Sequence, residues 1–448
     1  MPPVTRRARR FSVPTCSRSG LLAFLGGGFK NIAGGGDSGV LSGSQNDACD
    51  DWSAVGAGSG NGIGADSNNS KFAFIGGGFG NAIAKSAYGF VGAGYSNTLS
   101  STFGFIGAGA DNTNSGFDSG IVGGSDNTVT GTYASIDSGY ENTINFAKEA
   151  AISAGTNNLI DSGGFPDGSS MAFIGSGYGN SIKALLDTGG TYGVISGGLQ
   201  NLLEGAYGAI GGGGNNAVTA NGATVAGGYG NSASGSYATV PGGETNSAIG
   251  ELSFAAGHGS YAGHDGAFVW SDNVYGAVQL KSTGANQFLA RASGGVAFYT
   301  NATLTTGVTL GAGSGTWGSV SDRTVKTHVE TIDDKVILDK VAALPISKWS
   351  YTSEHGVRHV GPMAQDFYAA FGVGEDNRHI TSIDEDGVAL AAIKALHGQV
   401  NQLRVQLARK DTAASAMARQ LQTTQLTGEK TLHQLQKVSA EVASLRSR

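Results

Sequence analysis

An asparagine that follows a glycine-rich tripeptide returns at Asn81, Asn97, Asn112, Asn127, Asn142 and Asn157, then at Asn180 and Asn201, and again at Asn216, Asn231 and Asn246. The regular step is 15 or 16 residues. A repeat of that length calls for a stack of equivalent coils, because one unit is too short to bury a core by itself. A representative unit reads Tyr-Gly-Phe-Val-Gly-Ala-Gly-Tyr-Ser-Asn from Tyr88 to Asn97, and relatives begin at Phe72, Met171, Tyr192 and Tyr207. Fifteen extended residues at about 3.3 Å each make a perimeter of about 50 Å, room for two short strands and two turns. Glycine serves where backbones approach or φ is positive, and Phe90 with Val91, or Phe105 with Ile106, are the expected inward apolar residues. The asparagines suit left-handed turn positions and can stack as a hydrogen-bonded ladder. So thin a roll is expected to share its core between chains, and a homotrimer is the simplest closed arrangement. About fourteen coils at roughly 4.8 Å would give a shaft of about 65 to 70 Å.

The charge pattern narrows the function classes. Between Gly20 and Asp265 there are 18 acidic residues against five lysines, and no arginine occurs between Arg18 and Arg291. Phosphate contact needs clustered Lys and Arg, so nucleic acid is not an expected partner. With 76 Gly among 448 residues, an average globular enzyme is a poor template. The acids at Asp37 and Asp126 lack the nine-residue recurrence of calcium-binding rolls, and Asp111, Asp118, Asp126 and Asp137 read as solvated surface acids rather than paired glycosidase carboxylates. No metal or cofactor is expected. The longer units from Asn158 to Asn180 and from Asn180 to Asn201 should push loops outward, the first place to look for a host-surface glycan or receptor.

Residues 1–20 read as a disordered or attachment segment. Arg6, Arg7, Arg9 and Arg10 resemble the start of a secretion signal, but the apolar run Leu21 to Leu25 is too short for one. Neither a transmembrane span nor a membrane partner is expected. Cys16 and Cys49 lack metal or redox spacing, and a disulfide between them stays open. Residues 21–265 form the roll, and 266–320 a β connector. In the connector, Asn286 to Thr300 suggests a hairpin around Gly294-Gly295, followed by an accessible loop.

From Ser321 the composition becomes that of an ordinary mixed domain. Residues 332–341 have helical apolar spacing, Ile346 to Tyr351 reads as a strand, and His359 to Pro362 as a turn. Met363 to Phe371 reads as a helix closed by Gly372, and a third helix starts near Val388 after a turn and cap at Asp384 to Gly387. Within this region come Ser-Asp-Arg-x-x-Lys from Ser321 to Lys326, Leu-Pro-x-x-x-Trp-x-Tyr from Leu344 to Tyr351, His-Val-Gly-Pro-Met-Ala-Gln-Asp-Phe from His359 to Phe367, and Asp-x-Asp-Gly-Val-Ala-x-Ala-Ala from Asp384 to Ala392. In this order the motifs resemble the intramolecular chaperone auto-processing domain at the C-termini of phage endosialidase tailspikes and other tail fibres. The array upstream resembles, in period and composition, the head repeats of YadA-like trimeric autotransporter adhesins.

The chaperone resemblance implies a domain, residues 321–397, that trimerises, guides folding of the β-rich shaft and removes itself as an autoproteolytic serine peptidase. On the matching positions Ser321 is the nucleophile, Lys326 its general base, and the cut falls between Val320 and Ser321. His359 and Gln365 are candidate supporting residues for the scissile carbonyl. The family often has Asn where this chain has Asp322. Independently of the family, a serine needs a base to take its proton, and a lysine serves only when neutral.

Residues 398–448 hold a heptad register starting at Val400, with ten of fourteen a and d positions apolar, the exceptions being Lys410, Thr424, Gly428 and Thr431. A coiled coil is expected, and Gly428 should loosen it. The fold expected is therefore mainly β: a trimeric parallel β-roll of 15-residue repeats, a small α+β chaperone domain and a C-terminal helical coiled coil. The expected function is a homotrimeric tail-fibre or adhesin-like protein of a phage or prophage virion, cut once by its own chaperone. The alternative is a bacterial cell-surface adhesin that keeps the domain uncleaved as a trimerisation anchor.

Overall fold

The computed structural model describes residues 16, 20–64, 69–185 and 187–447. The basic stretch Arg6 to Arg10 and its reading as a signal or attachment segment lie outside the described residues. The chain divides into two compact units, one ending at Gly294 and one starting at Gly295.

The first unit is a parallel β-roll. Each coil contributes one strand, mostly of two residues, to a 17-stranded sheet running from Phe24–Leu25 to Phe288–Arg291, and one to a 15-stranded sheet running from Ile32–Ala33 to Tyr261–Ala262. Neighbouring coils pair in register at the repeat step, as in Phe90↔Phe105 and Thr98↔Thr113. The first sheet runs beyond residue 265 through Phe268–Ser271 and Phe288–Arg291.

In both sheets the second residue of the strand points inward. Val91, Ile106, Ile121 and Ile136 from the first sheet meet Leu99, Val129 and Ile144 from the second, all at zero exposure. Each such aliphatic side chain contributes about 1.5 to 3 kcal/mol on leaving water. Phe90 and Phe105, expected inside with their neighbours, point outward instead, since adjacent residues of a strand must face opposite ways. The expected sharing of one core between chains is likewise not what fills the roll: each chain closes a continuous core of its own.

The ladder is present, with a correction of position. Asn127, fully buried, donates its backbone N–H and its Nδ2 to Asn112 Oδ1, both at 3.1 Å, and donates Nδ2 also to the carbonyls of Gly123 and Gly139. Its own Oδ1 accepts from Asn142 N and Nδ2. The series extends to Asn31 at one end and Asn246 at the other, and its member in the sixth regular unit is Asn158, not Asn157. Asn157 occupies the left-handed position, φ 57°, just before it. That preceding residue takes the left-handed turn in every coil, as at Ser96, Asp111 and Glu141, so the ladder asparagines are spared for hydrogen bonding. Three residues before each ladder asparagine stands a glycine such as Gly94, φ 115°, where a Cβ would lie 2.1 Å from the Gly109 carbonyl oxygen.

The two longer units keep the ladder, with Asn180 bonded to Asn158 and Asn201 to Asn180. Their extra residues lie between Asp161 and Phe173 and between Lys183 and Val194, and Ser169 N donates to the Gly189 carbonyl across them. Cys16 and Cys49 form a disulfide. Near the end of the unit, Arg291 and Ser293 N both donate to the Asp272 carboxylate, fastening the segment that leaves the roll.

The second unit opens with a three-stranded antiparallel sheet, β1 (Gly295–Tyr299), β2 (Gly307–Gly311) and β3 (Trp317–Ser319). The hairpin expected around Gly294-Gly295 does not form: both flanking strands exist, but Phe288–Arg291 finds a parallel partner in the roll and β1 pairs with β2. Then follow α1 (Asp334–Ala343), β4 (Ser347–Trp349), β5 (His359–Gly361), α2 (Ala364–Phe371) and α3 (Ser382–Arg446). Residues 359–361, expected as a turn, are a strand because they complete an antiparallel pair with β4. Gly372, at φ 67°, closes α2.

α3 begins six residues, nearly two turns, earlier than expected. Thr381 accepts from Asp384 N and donates to the Asp384 carboxylate, so Asp384 to Gly387 are already helical and the helix continues unbroken through Gly428. Among the described residues, the buried hydrophobic side chains of this unit are Phe367, Ala391, Ala392 and Ala395. Trp317, Tyr351, Leu390 and Ile393 are more than half exposed. No helix among the described residues is long and apolar enough to cross a membrane.

Candidate functional site

Val320 leaves β3 with its N–H donated to the Gly307 carbonyl at 3.1 Å, which anchors the residue at the end of the sheet. The next residue, Ser321, enters a tight turn. Asp322 caps a single 3-10 turn, Arg323–Val325: its Oδ1 accepts from Thr324 N at 2.7 Å and from the Thr324 hydroxyl at 2.8 Å. The backbone N–H of Thr324, followed by its hydroxyl, holds the Asp322 carboxyl below the ordinary carboxylate range. The turn reverses the chain enough for Lys326 to reach back, and Lys326 Nζ donates to Ser321 Oγ at 2.6 Å. All of residues 321 to 326 are exposed.

The structure thus brings Ser321 and Lys326 together, with Ser321 one peptide bond beyond the anchored, half-buried Val320. The other two candidates have different surroundings. His359 Nε2 lies 2.9 Å from Glu354 Oε2, and its ring rests 4.7 Å from Trp349 and 5.7 Å from Tyr351. Gln365 is exposed in the first turn of α2. Sequence reasoning missed the part played by Asp322 and Thr324 in shaping the turn. The signal was present, since an Asp two residues before a Thr is an Asx-turn and cap pattern. Asp334 of α1 also pairs with Lys394 of α3 at 2.6 Å, a contact no local pattern announces.

Asp111, Asp118, Asp126 and Asp137 of the roll are all exposed. Slight desolvation of its partly covered carboxyl, and then the charge of Asp126, raises Asp111 above its usual range although the residue is exposed. These positions form no enclosed acid–base pair.

A repeat-built parallel β-roll is followed in sequence by a small mixed module and a long helix. Residues 321–373 match the peptidase family described as the chaperone of endosialidase, and this match, which begins at Ser321, points to a tail-fibre-like protein with a C-terminal chaperone. No curated protein matches the chain.

Proposed function

We propose that this chain is a homotrimeric tail-fibre protein of a phage or prophage virion, whose C-terminal chaperone assembles the shaft and then releases itself by cutting between Val320 and Ser321. The observation that carries this reading is the 2.6 Å contact between Lys326 Nζ and Ser321 Oγ at the first residue of the chaperone match. In the reaction, neutral Lys326 takes the Ser321 hydroxyl proton while Oγ attacks the Val320 carbonyl carbon. The Val320–Ser321 amide bond breaks, Lys326 returns the proton to the departing nitrogen, and an ester joins Val320 to Ser321 Oγ. Water hydrolyses that ester, leaving a Val320 carboxylate and a free Ser321 amine.

Assembly supplies the missing condition. A lysine serves as a base only when neutral, and removal from water favours its neutral form. The single chain leaves Lys326 in water and much of the second unit's apolar surface uncovered. Neighbouring copies that cover this surface would desolvate the lysine, so the cut would follow folding. The apolar heptad positions of α3, exposed from Val400 to Leu445, are suited to gather the copies as a coiled coil.

The test is expression of the full chain, followed by a denaturing gel and N-terminal sequencing. A fragment beginning at Ser321 is expected, absent in Ser321→Ala while oligomers still form. Uncut oligomers of the unaltered chain would instead favour a retained trimerisation anchor.

A further inference from the structure

The surface of the roll is sorted by side. In the 17-stranded sheet the first residue of each strand faces outward, and from Phe24 to Phe288 this column contains no charged residue. Phe74, Phe90 and Phe105 stand in it with ring centroids 5.8 and 5.5 Å apart. Two residues earlier in each coil, Trp52, Phe72, Tyr88 and Phe103 form a second column at 5.0 to 5.1 Å. The corresponding outward column of the 15-stranded sheet reads Thr98, Thr113, Thr128 and Thr143 over its middle and has no aromatic residue before Tyr261.

A third feature borders the aromatic columns. Three residues beyond each outward position of the first sheet, every coil from Gly27 to Gly242 carries Gly, Ala or Ser. At Gly27, Gly123 and Gly227 the chain's own packing does not demand this: a Cβ there would meet nothing within 4 Å, and none of the three has a positive φ, unlike Gly212 and Gly242. Small residues where the chain leaves open space fit a surface that something else approaches closely.

We propose that this outer face of the 17-stranded sheet is where copies of the chain pack against one another along the roll. A strip of 17 strands at about 4.8 Å, some 10 Å wide across the two borders, offers roughly 800 Å² per copy, about what one partner contributes to a stable interface. Parallel copies would repeat the charge-free first column at each coil, while the second column carries acids at Asp37, Asp118 and Glu149 alone. The second column stacks its rings at 4 to 9° from Trp52 to Phe103, and the first at 29° from Phe74 to Phe90 and 6° from Phe90 to Phe105, so the stacked rings cover their neighbours' faces and present edges to the outside. A sugar would need an open ring face, whereas a second protein surface packs against edges. The inference rests on the oligomeric reading above and names the part of the shaft that takes part.

The test uses the full chain carrying Ala93→Cys, on the proposed face, or Thr98→Cys, on the opposite one, treated with a short bifunctional maleimide and run on a denaturing gel. Crosslinked species are expected from Ala93→Cys, lost when Phe90→Glu is added, and not expected from Thr98→Cys. If the chain sediments as an oligomer yet Ala93→Cys gives no crosslink, or only Thr98→Cys does, the face is wrong while the oligomer stands. A chain that sediments as a monomer overturns both. Glycan binding abolished by Phe90→Glu, with Ala93→Cys uncrosslinked, would assign the face to a sugar and overturn the proposal.

Discussion

Lys326 Nζ donates to Ser321 Oγ across 2.6 Å while both side chains remain in water. The Asp322-capped turn holds this pair together in the single chain, the arrangement on which the proposed cut depends.

Lys326→Arg is expected to abolish the cut as completely as Lys326→Ala, because a guanidinium stays protonated. Both variants should still form oligomers. Quantifying the fragment that begins at Ser321, beside sedimentation of each variant, checks this, and a cleaved Lys326→Arg chain would contradict Lys326 as the base.

Asn127→Ala removes donors that serve Asn112, Gly123 and Gly139 and the acceptor for Asn142, all in a buried column. With about 1 to 3 kcal/mol for each group left unsatisfied, the roll should lose on the order of 3 to 5 kcal/mol. Hydrogen exchange should show faster opening centred on residues 112 to 142. Asn127→Asp should be no better, since a carboxylate cannot donate.

Gly94→Ala forces a Cβ to within 2.1 Å of the Gly109 carbonyl oxygen and 2.6 Å of Asn97 Nδ2 at φ 115°. Coil spacing must open locally. A drop in melting temperature well beyond the roughly 1 kcal/mol of an ordinary Gly position is expected from thermal unfolding of the variant.

Asp47 and Asp272 should give pH dependences of opposite sign. Burial raises the Asp47 carboxyl from 3.8 to about 6, so its charged form opposes folding and stability falls as pH rises from about 4 to 6. Asp47→Asn should therefore stabilise the chain above pH 6, by at most about 3 kcal/mol, with the difference vanishing below pH 4. The Ser293 and Arg291 donors lower the Asp272 carboxyl to about 2, so its contribution is present above pH 3.8 and fades as pH falls toward 2. Urea melts of wild type and each Asn variant across pH 3 to 8 distinguish the two.

The repeat period made the coil, its two strands and its parallel register legible, because a 15-residue step admits few other solutions. The side of the strand was less legible. Phe90 and Val91 are both apolar, and only the closed coil shows that Val91 fills the interior while Phe90 faces out. The Asn157–Asn158 doublet was ambiguous for the same reason: either residue satisfies the pattern, and the left-handed turn takes the first.

At the candidate site, Ser321 and Lys326 were named from the order of motifs in sequence, and their separation of five residues alone decided nothing. What tertiary structure added was the Asp322 cap that folds the lysine back, and the engagement of His359 with Glu354 and Trp349. By itself the sequence determined what repeats locally, because spacing, turn residues and heptads act over a few positions. Which strands pair, as when Phe288–Arg291 joins the roll and Gly295–Tyr299 turns to Gly307–Gly311, was decided only by the tertiary structure, because a backbone edge pairs with whichever partner the fold delivers to it.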